Sequence, residues 1–308
     1  MSRLVELRSD QGEAAVDNEF FRSAEFYAVE GVTHTLLFTS ERESCAIPVI
    51  VREIPQGGRD AVSPYGYPGG CGAFDPVTLG ADALAGAGLV SIFVRDRLGS
   101  PTLAGGNPRS TVLLHDPRKP RQVRATTTNN VRRNIDLGFT TSTTVGPDLD
   151  EDALAQFTSC YRETMTRVAA ATRNLYDADY LRACLSFPRS WLVATHAPGG
   201  GFAAGMLLVR SDDTLHYYLG GTTDAHLDRS PVRNAFLAAM DLADSLGLPL
   251  NFGGGIHPGD GLEKFKRGFS NAEATFTTHE IVADVKAYAR LSGEEPNAAF
   301  FPAYRAPA

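Results

Sequence analysis

One succession of elements occurs twice in this chain, and that repetition constrains the fold more than any single motif. In the first half, Asn18 to Tyr27 reads as a helix. His34 to Phe38 and Ala46 to Arg52 then read as two apolar, β-branched strands around the polar turn Thr39-Ser40-Glu41-Arg42. Asp82 to Ala87 reads as a helix closed by Gly88, and Leu89 to Arg95 as a strand. In the second half, Asp177 to Ser186 reads as a helix, followed by strands at Trp191 to Thr195, Phe202 to Arg210 and Thr214 to Leu219. An Ala-rich helix from Ser230 to Leu246 closes at Gly247, and Leu248 to Phe252 is again a strand. The two closing glycines lie about 160 positions apart, as do the starts of the first helices. We therefore expect a duplicated unit of mixed α/β structure. The expected division is 1–147, 148–292 and a Pro- and Ala-rich tail over 293–308 that packs loosely. Between the halves, Leu154, Phe157, Tyr161, Met165 and Val168 recur at helical spacing within an amphipathic helix over Asp148 to Asn174.

Composition sets the class. Of 308 residues, 43% are hydrophobic and 21% charged, which is ample for a buried core. No apolar run approaches the roughly 18 residues a bilayer span needs, and Met1 to Asp10 lacks the apolar stretch of a secretory signal. These features predict a cytoplasmic protein with no membrane insertion. Cys45, Cys71, Cys160 and Cys184 are scattered without metal-type spacing, so reduced thiols and no metal site are expected. The net charge of −7 argues against binding a long polyanion along the whole surface. Yet Arg118, Lys119, Arg121, Arg124, Arg132 and Arg133 fall between Asp116 and Asp136 with no acid among them. Such a patch suits a phosphate-rich ligand end as well as it suits a solvated edge.

Only four of the 29 basic residues are lysines, and two of those are Lys264 and Lys266. A composition that favours arginine so strongly has little use for lysine as surface filler. A lysine kept under that bias points to a need for a compact, movable ammonium. Both lie in Leu262-Glu263-Lys264-Phe265-Lys266-Arg267, shortly after Gly253-Gly254-Gly255 and an apolar strand. A cation behind a glycine turn at a strand end readily serves an anion or a developing oxyanion. Two further segments concentrate turn and aromatic signals. Ser63-Pro64-Tyr65-Gly66-Tyr67-Pro68-Gly69-Gly70 offers two tyrosines in a rigid loop. In His216-Tyr217-Tyr218-Leu219-Gly220-Gly221-Thr222, alternation sends His216 and Tyr218 to one face and Tyr217 to the other. Half-buried structural aromatics explain both segments as readily as a cleft does.

Taken in order, these segments resemble a known family. Ser63 to Gly69, Asn130-Val131-Arg132-Arg133-Asn134-Ile135, Tyr161-Arg162-Glu163-Thr164-Met165-Thr166-Arg167, the His216 to Thr222 strand and the Phe265-Lys266 pair ending in Phe269 resemble the Fem-like (FemABX) branch of the GNAT superfamily. The resemblance covers roughly residues 20 to 291. It implies tandem GNAT-like domains, each an α/β (α+β) unit with a mixed, mostly antiparallel sheet flanked by helices. It also implies acyl transfer to an amine, with the acyl group taken in many members from aminoacyl-tRNA.

The donor divides two readings. Coenzyme A enzymes of this superfamily cradle pyrophosphate on a glycine loop opening a helix. The matching segment here is Arg229-Ser230-Pro231-Val232-Arg233-Asn234-Ala235, where Val232 replaces the first glycine and Pro231 removes an N–H donor. This favours an aminoacyl-tRNA 3′ end as co-substrate, with no bound cofactor. Acyl-CoA is the alternative donor, and a non-catalytic ligand-binding module is the reading of a different class. The expected acceptor is a small amine-bearing peptide or peptidyl-nucleoside from cell-wall or antibiotic biosynthesis. The resemblance implies Lys266 as the catalytic cation. His216 and then Asp260 are the candidate bases, beside substrate-assisted proton transfer. Lys264, Arg267, Arg132 and Arg133 would hold phosphates, and Tyr65, Tyr67, Arg167, Tyr217 and Tyr218 would line the substrate site.

Overall fold

The computed structural model describes residues 4–9, 15–39, 44–72, 75–81, 84, 86–293 and 300–306. In chain order the first elements are β1 (Leu4–Arg8), α1 (Ala24–Glu30), β2 (His34–Thr39), β3 (Ser44–Glu53), β4 (Arg59–Val62) and β5 (Ser91–Arg95). The middle of the chain forms β6 (Asn107–His115), α2 (Ala125–Asp136), β7 (Thr140–Val145), α3 (Glu151–Arg167) and α4 (Ala178–Leu185). Then come β8 (Ser190–His196), β9 (Phe202–Ser211), β10 (Thr214–Thr222), α5 (Val232–Leu246), β11 (Leu250–Gly253), α6 (Gly261–Lys266), β12 (Ala272–Val282) and α7 (Val285–Ser292).

These elements form two compact units. Unit 1 is 1–110 with 275–308, and unit 2 is 111–274. The division differs from the expected 1–147 and 148–292. Residues 125–145 belong with the second unit because β7 pairs along its whole length with β8, from Thr140↔His196 to Val145↔Trp191. The C-terminal segment belongs with the first because β12 pairs with β5, from Thr278↔Arg95 to Val282↔Ser91. The tail also departs from expectation. Its Tyr304 hydroxyl meets Ser91 Oγ at 2.8 Å, and Arg305 Nε donates to Asp60 Oδ2 at 2.5 Å. Asp60 is fully buried, and Arg52 Nε reaches its other oxygen at 2.8 Å. A buried carboxylate needs such partners, and they fix residues that composition alone suggests are loose.

In unit 1 the strands run β1-β2-β3-β4-β5-β12, antiparallel except for β4 beside β5. Leu36, Ile47, Val49, Ile92 and Val94 form the centre of its core. The first helix starts later than expected because Ser23 caps it, its Oγ accepting from Phe26 N at 3.1 Å. The helix expected over Asp82 to Ala87 falls partly outside the described residues. In unit 2 the order is β6-β11-β10-β9-β8-β7, antiparallel except for β10 beside β11. Leu113, Met206, Leu208, Leu215, Phe236, Met240, Leu250 and Phe252 fill its core. Each unit is thus a mostly antiparallel sheet with helices, as the resemblance implies, and one pair of its named strands is parallel. Among the described residues, no helix is long and apolar enough to cross a membrane.

Candidate active site

The parallel pair of unit 2 is brief. β10 and β11 pair at Leu215↔Leu250 and His216↔Asn251, with no registered pair beyond. β11 stays tied on its other side to β6, through Gly253↔Leu113. Meanwhile β10 changes register at a bulge between Tyr217 and Leu219. Bulges re-aim side chains. Here the bulge leaves Tyr217 and Gly220 on one side, since a Cβ at Gly220 would lie 2.7 Å from Tyr217 Oη. Gly221 faces α3, where a Cβ would lie 2.6 Å from Thr164 Oγ1. That hydroxyl locks the strand end by accepting from Thr222 N at 2.9 Å and donating to Thr222 O at 3.0 Å. The two strands therefore separate where glycines replace side chains.

Lys266 reaches this separation from α6. Asp260 caps that helix, accepting from Glu263 N at 2.7 Å through Oδ1 and from Ile256 N and His257 N through Oδ2. Phe265 and Phe269 on either side of the lysine insert into an aromatic cluster. Phe236 meets Phe269 at 4.7 Å, Phe265 at 5.1 Å and Tyr217 at 5.4 Å between ring centroids. Each such pair contributes about 0.5–1.5 kcal/mol beyond area burial, so the short helix is held by its flanking aromatics. Lys266 is 7% exposed, and its Nζ donates to Gly254 O at 2.8 Å. The same Nζ stands 5.6 Å from the Tyr217 ring centroid, a cation–π arrangement. An ammonium carries three donors, and the remaining two have no acceptor among the described residues.

Burial drives the chemistry of these groups. Desolvation lowers the Lys266 pKa to about 8, against a smaller opposing effect of the Asp260 charge. It pushes the Tyr217 phenol up to about 12, with the Cys160 thiol adding to the rise, so this hydroxyl stays protonated. Asp260 lies at about 2, because Glu263 N, His257 N and Ile256 N stabilise its carboxylate. The geometry thus offers a dehydrated cation with spare donors above a neutral phenol.

The other expected residues scatter. His216 is buried, with Nε2 3.2 Å from Ser211 O and Nδ1 bonded to Asn251 Nδ2 at 3.1 Å. Both ring nitrogens are engaged, and alternation places it opposite Tyr217, so it does not act as the base at Lys266. Asp260 is corrected likewise: it is a helix cap, too weakly basic to accept an amine proton near neutrality. Tyr218 bonds through its hydroxyl to that of Tyr180 on α4. Arg267 is held between Glu263 and Glu273, and Arg167 between Asp224 and Thr164. Lys264, Arg132 and Arg133 are exposed. Within the expected basic patch, Arg118 is taken by Asp116 at 2.9 Å, and Arg121 by Asp241 at 2.6 Å and Asp244 at 3.2 Å. Tyr65 and Tyr67 belong to unit 1. Tyr65 is exposed beneath Arg95, while Tyr67 packs between Phe21 and Phe276. Sequence reading misses Asn251, which bonds His216, and names the Gly253-Gly254-Gly255 turn without foreseeing that the Gly254 carbonyl holds Lys266. An asparagine inside an apolar strand was the available signal. Among the described residues, no group of three or more His, Cys, Asp or Glu gathers as for a metal.

The segment Arg229 to Ala235 is tightly self-bonded. Arg233 N donates to Ser230 O at 3.0 Å, and Asn234 N to Pro231 O at 3.0 Å. Asn134 and Asn130 on α2 both donate to Arg229 O, pinning the turn.

Comparison with known proteins bears on the fold. Residues 121–267 match the family described as acetyltransferase (GNAT) domain. Among solved structures, FemX covers 94% of this chain and 99% of its own, with a TM-score of 0.63 at 11% identity. The C-terminal (DUF2156) domain of a lysylphosphatidylglycerol synthetase candidate from Agrobacterium fabrum covers 88% of this chain and 89% of its own, at a TM-score of 0.60 and 13% identity. L-PGS from Bacillus licheniformis covers 85% of this chain and 87% of its own, at 0.57 and 10%. Identities this low carry the fold alone. No curated protein matches the chain by sequence.

Proposed function

From a GNAT acyltransferase domain set within a Fem-like fold, we propose that this chain transfers an aminoacyl group from the 3′ ester of an aminoacyl-tRNA to an amine. The acceptor amine belongs to a small peptide or peptidyl-nucleoside, and the product is an amide. The observation that carries this reading is the buried Lys266 ammonium, bonded to Gly254 O at 2.8 Å with two donors unused where β10 and β11 part.

The neutral amine attacks the ester carbonyl, and the carbonyl π electrons move onto oxygen. Lys266 donates to that oxyanion in a dehydrated setting, where a preformed cation acts strongly. Collapse breaks the bond to the ribose oxygen, which leaves with the proton the amine gives up. His216 and Asp260 are unsuited to take that proton, which favours its passage within the substrates. An activated ester asks little beyond positioning and charge stabilisation. A Lys266 pKa of about 8 keeps the side chain mostly cationic at pH 7. The rate of the chemical step should therefore fall as pH rises through about 8.

Lys266→Ala tests the mechanism. Single-turnover transfer from charged tRNA should drop roughly 10²- to 10³-fold with acceptor binding retained. Normal turnover with saturating donor would overturn it. The second reading is an acyl-CoA N-acyltransferase, favoured by the family description of residues 121–267. Against it, Pro231 lacks an N–H, and the amides of Arg233 and Asn234 are already bonded within the turn. RNase treatment separates the two: it abolishes transfer from aminoacyl-tRNA and leaves transfer from acyl-CoA untouched.

A further inference from the structure

Unit 1 contains an open cavity of about 520 Å³ that the reading of Lys266 does not use. Leu89, Val90, Ala283 and Ala287 give it an apolar floor, and Gly57, Gly58 and Gly88 bring bare backbone to its wall. Lys286 and Arg290 line one side, one turn apart on α7. Residues so spaced lie on one helix face, about 5–6 Å apart at Cβ. A third cation stands behind the wall: a Cβ at Gly88 would lie 3.3 Å from Arg59 Nη2.

The charges are unbalanced. Among the described residues, Arg59, Lys286 and Arg290 meet no carboxylate within ion-pair distance. Other arginines of the same unit are matched, as in Arg52 and Arg305 with Asp60, Arg109 with Glu280 and Arg8 with Glu6. Asp284 is the one acid among the lining residues, and its Oδ1 is occupied by Ala287 N at 2.9 Å as the helix cap. Lys286 is also one of only four lysines in the chain. Free cations converging on one cleft of a protein with net charge −7 mark it as an anion site.

We propose that this cavity binds a phosphate-bearing ligand. Lys286 and Arg290 hold the phosphate, Arg59 supports it through the Gly88 edge, and the less polar part of the ligand lies over Val90 and Ala287. A free phosphorylated small molecule and an RNA backbone both supply this chemistry.

Titration of the full chain with pyrophosphate by calorimetry tests the site. Saturable binding is expected, weakening by roughly 30-fold or more in Lys286→Ala/Arg290→Ala as two charge-assisted contacts are removed. Both side chains are exposed, so the variant should keep the parent circular dichroism and melting temperature. A second arm measures uncharged tRNA by filter binding. If the site takes RNA phosphates, the double variant weakens tRNA and pyrophosphate competes with it. If the site takes a free ligand, tRNA binding is unchanged. Absence of pyrophosphate binding to the parent chain, or equal binding to parent and double variant, overturns the proposal.

Discussion

In unit 1 the parallel pair β4 and β5 registers at Ala61↔Ile92 and Val62↔Phe93, and the next residue seals it. Ser63 N donates to Phe93 O at 2.9 Å, Ser63 Oγ accepts from Arg95 N at 2.8 Å, and Arg95 Nη1 donates to Ser63 O at 2.8 Å. In unit 2 the parallel pair β10 and β11 also registers at two positions, yet it opens. There Gly253 N turns to Asn251 Oδ1 at 2.7 Å, and Lys266 takes the carbonyl of Gly254. The order and direction of five strands are the same twice, while the sixth comes last in the chain in unit 1 and first in unit 2. What differs is whether a serine hydroxyl and an arginine close the end of the pair, or a glycine run leaves it for a lysine. A repeated fold supplies the opening, and a few side chains decide which copy keeps it.

Substitutions can break this contrast in either unit, and the largest effect is expected at Lys266. Lys266→Met should lower the chemical step by about 10²- to 10³-fold while leaving the fold intact. Its stability should move the other way. The folded pKa of about 8 lies below the ordinary lysine value of 10.5, so the unfolded chain binds more protons between them. The cost of burying the cation is complete below pH 8 and fades as pH rises to 10.5. Lys266→Met should therefore be the more stable protein at pH 7, by up to about 3 kcal/mol. That advantage should vanish near pH 10.5 in a denaturation series. A variant less stable at pH 7 would contradict the burial argument.

In unit 1 the effects should fall on stability alone. Arg305→Ala removes one of the two guanidinium partners of the buried Asp60 and should cost about 3 kcal/mol in urea denaturation. Ser63→Ala strips the Arg95 amide of its acceptor and should cost about 2 kcal/mol with transfer activity unchanged. A loss of activity in Ser63→Ala without loss of stability would show that the sealed pair is also part of the chemistry. The smallest effect is expected from Asp260→Asn. Removing that carboxylate takes away the one charge that raises the Lys266 pKa. The alkaline limb of the pH–rate profile should shift to lower pH, by a few tenths of a unit for a partly solvated partner.

Much of this was legible in the sequence. The strands with strong apolar runs, β2, β3, β8, β9 and β10, sit close to where pattern reading puts them, and Gly247 closes its helix as expected with a φ of 66°. The polar strand β7, Thr-Thr-Ser-Thr-Thr-Val, carries no apolar alternation and shows itself only by pairing with β8. β12 leaves no local trace of its partner, because pairing with a strand nearly 200 residues earlier is a tertiary fact. For the site, lysine scarcity picked out the segment with Lys264 and Lys266, the family resemblance chose Lys266, and the structure buries Lys266 beside Tyr217. His216 and Asp260 misled because their polar atoms are consumed locally, one by Asn251 and one by backbone amides. A sequence displays an acid or an imidazole but not the groups that already occupy it. The basic run at 118–133 reads as six cations, whereas Asp241 and Asp244, more than a hundred residues away, claim Arg121.

The interleaving of the two units bears on how the chain matures during synthesis. Residues 111–274 are contiguous, so the half that carries Lys266 is complete once that stretch has left the ribosome. The other half waits, because β12 and the Tyr304–Arg305 clasp are translated last. The half that carries Lys266 is thus built as an insert whose host finishes folding only after it, an order that a nascent chain stalled near residue 274 would expose to proteolysis.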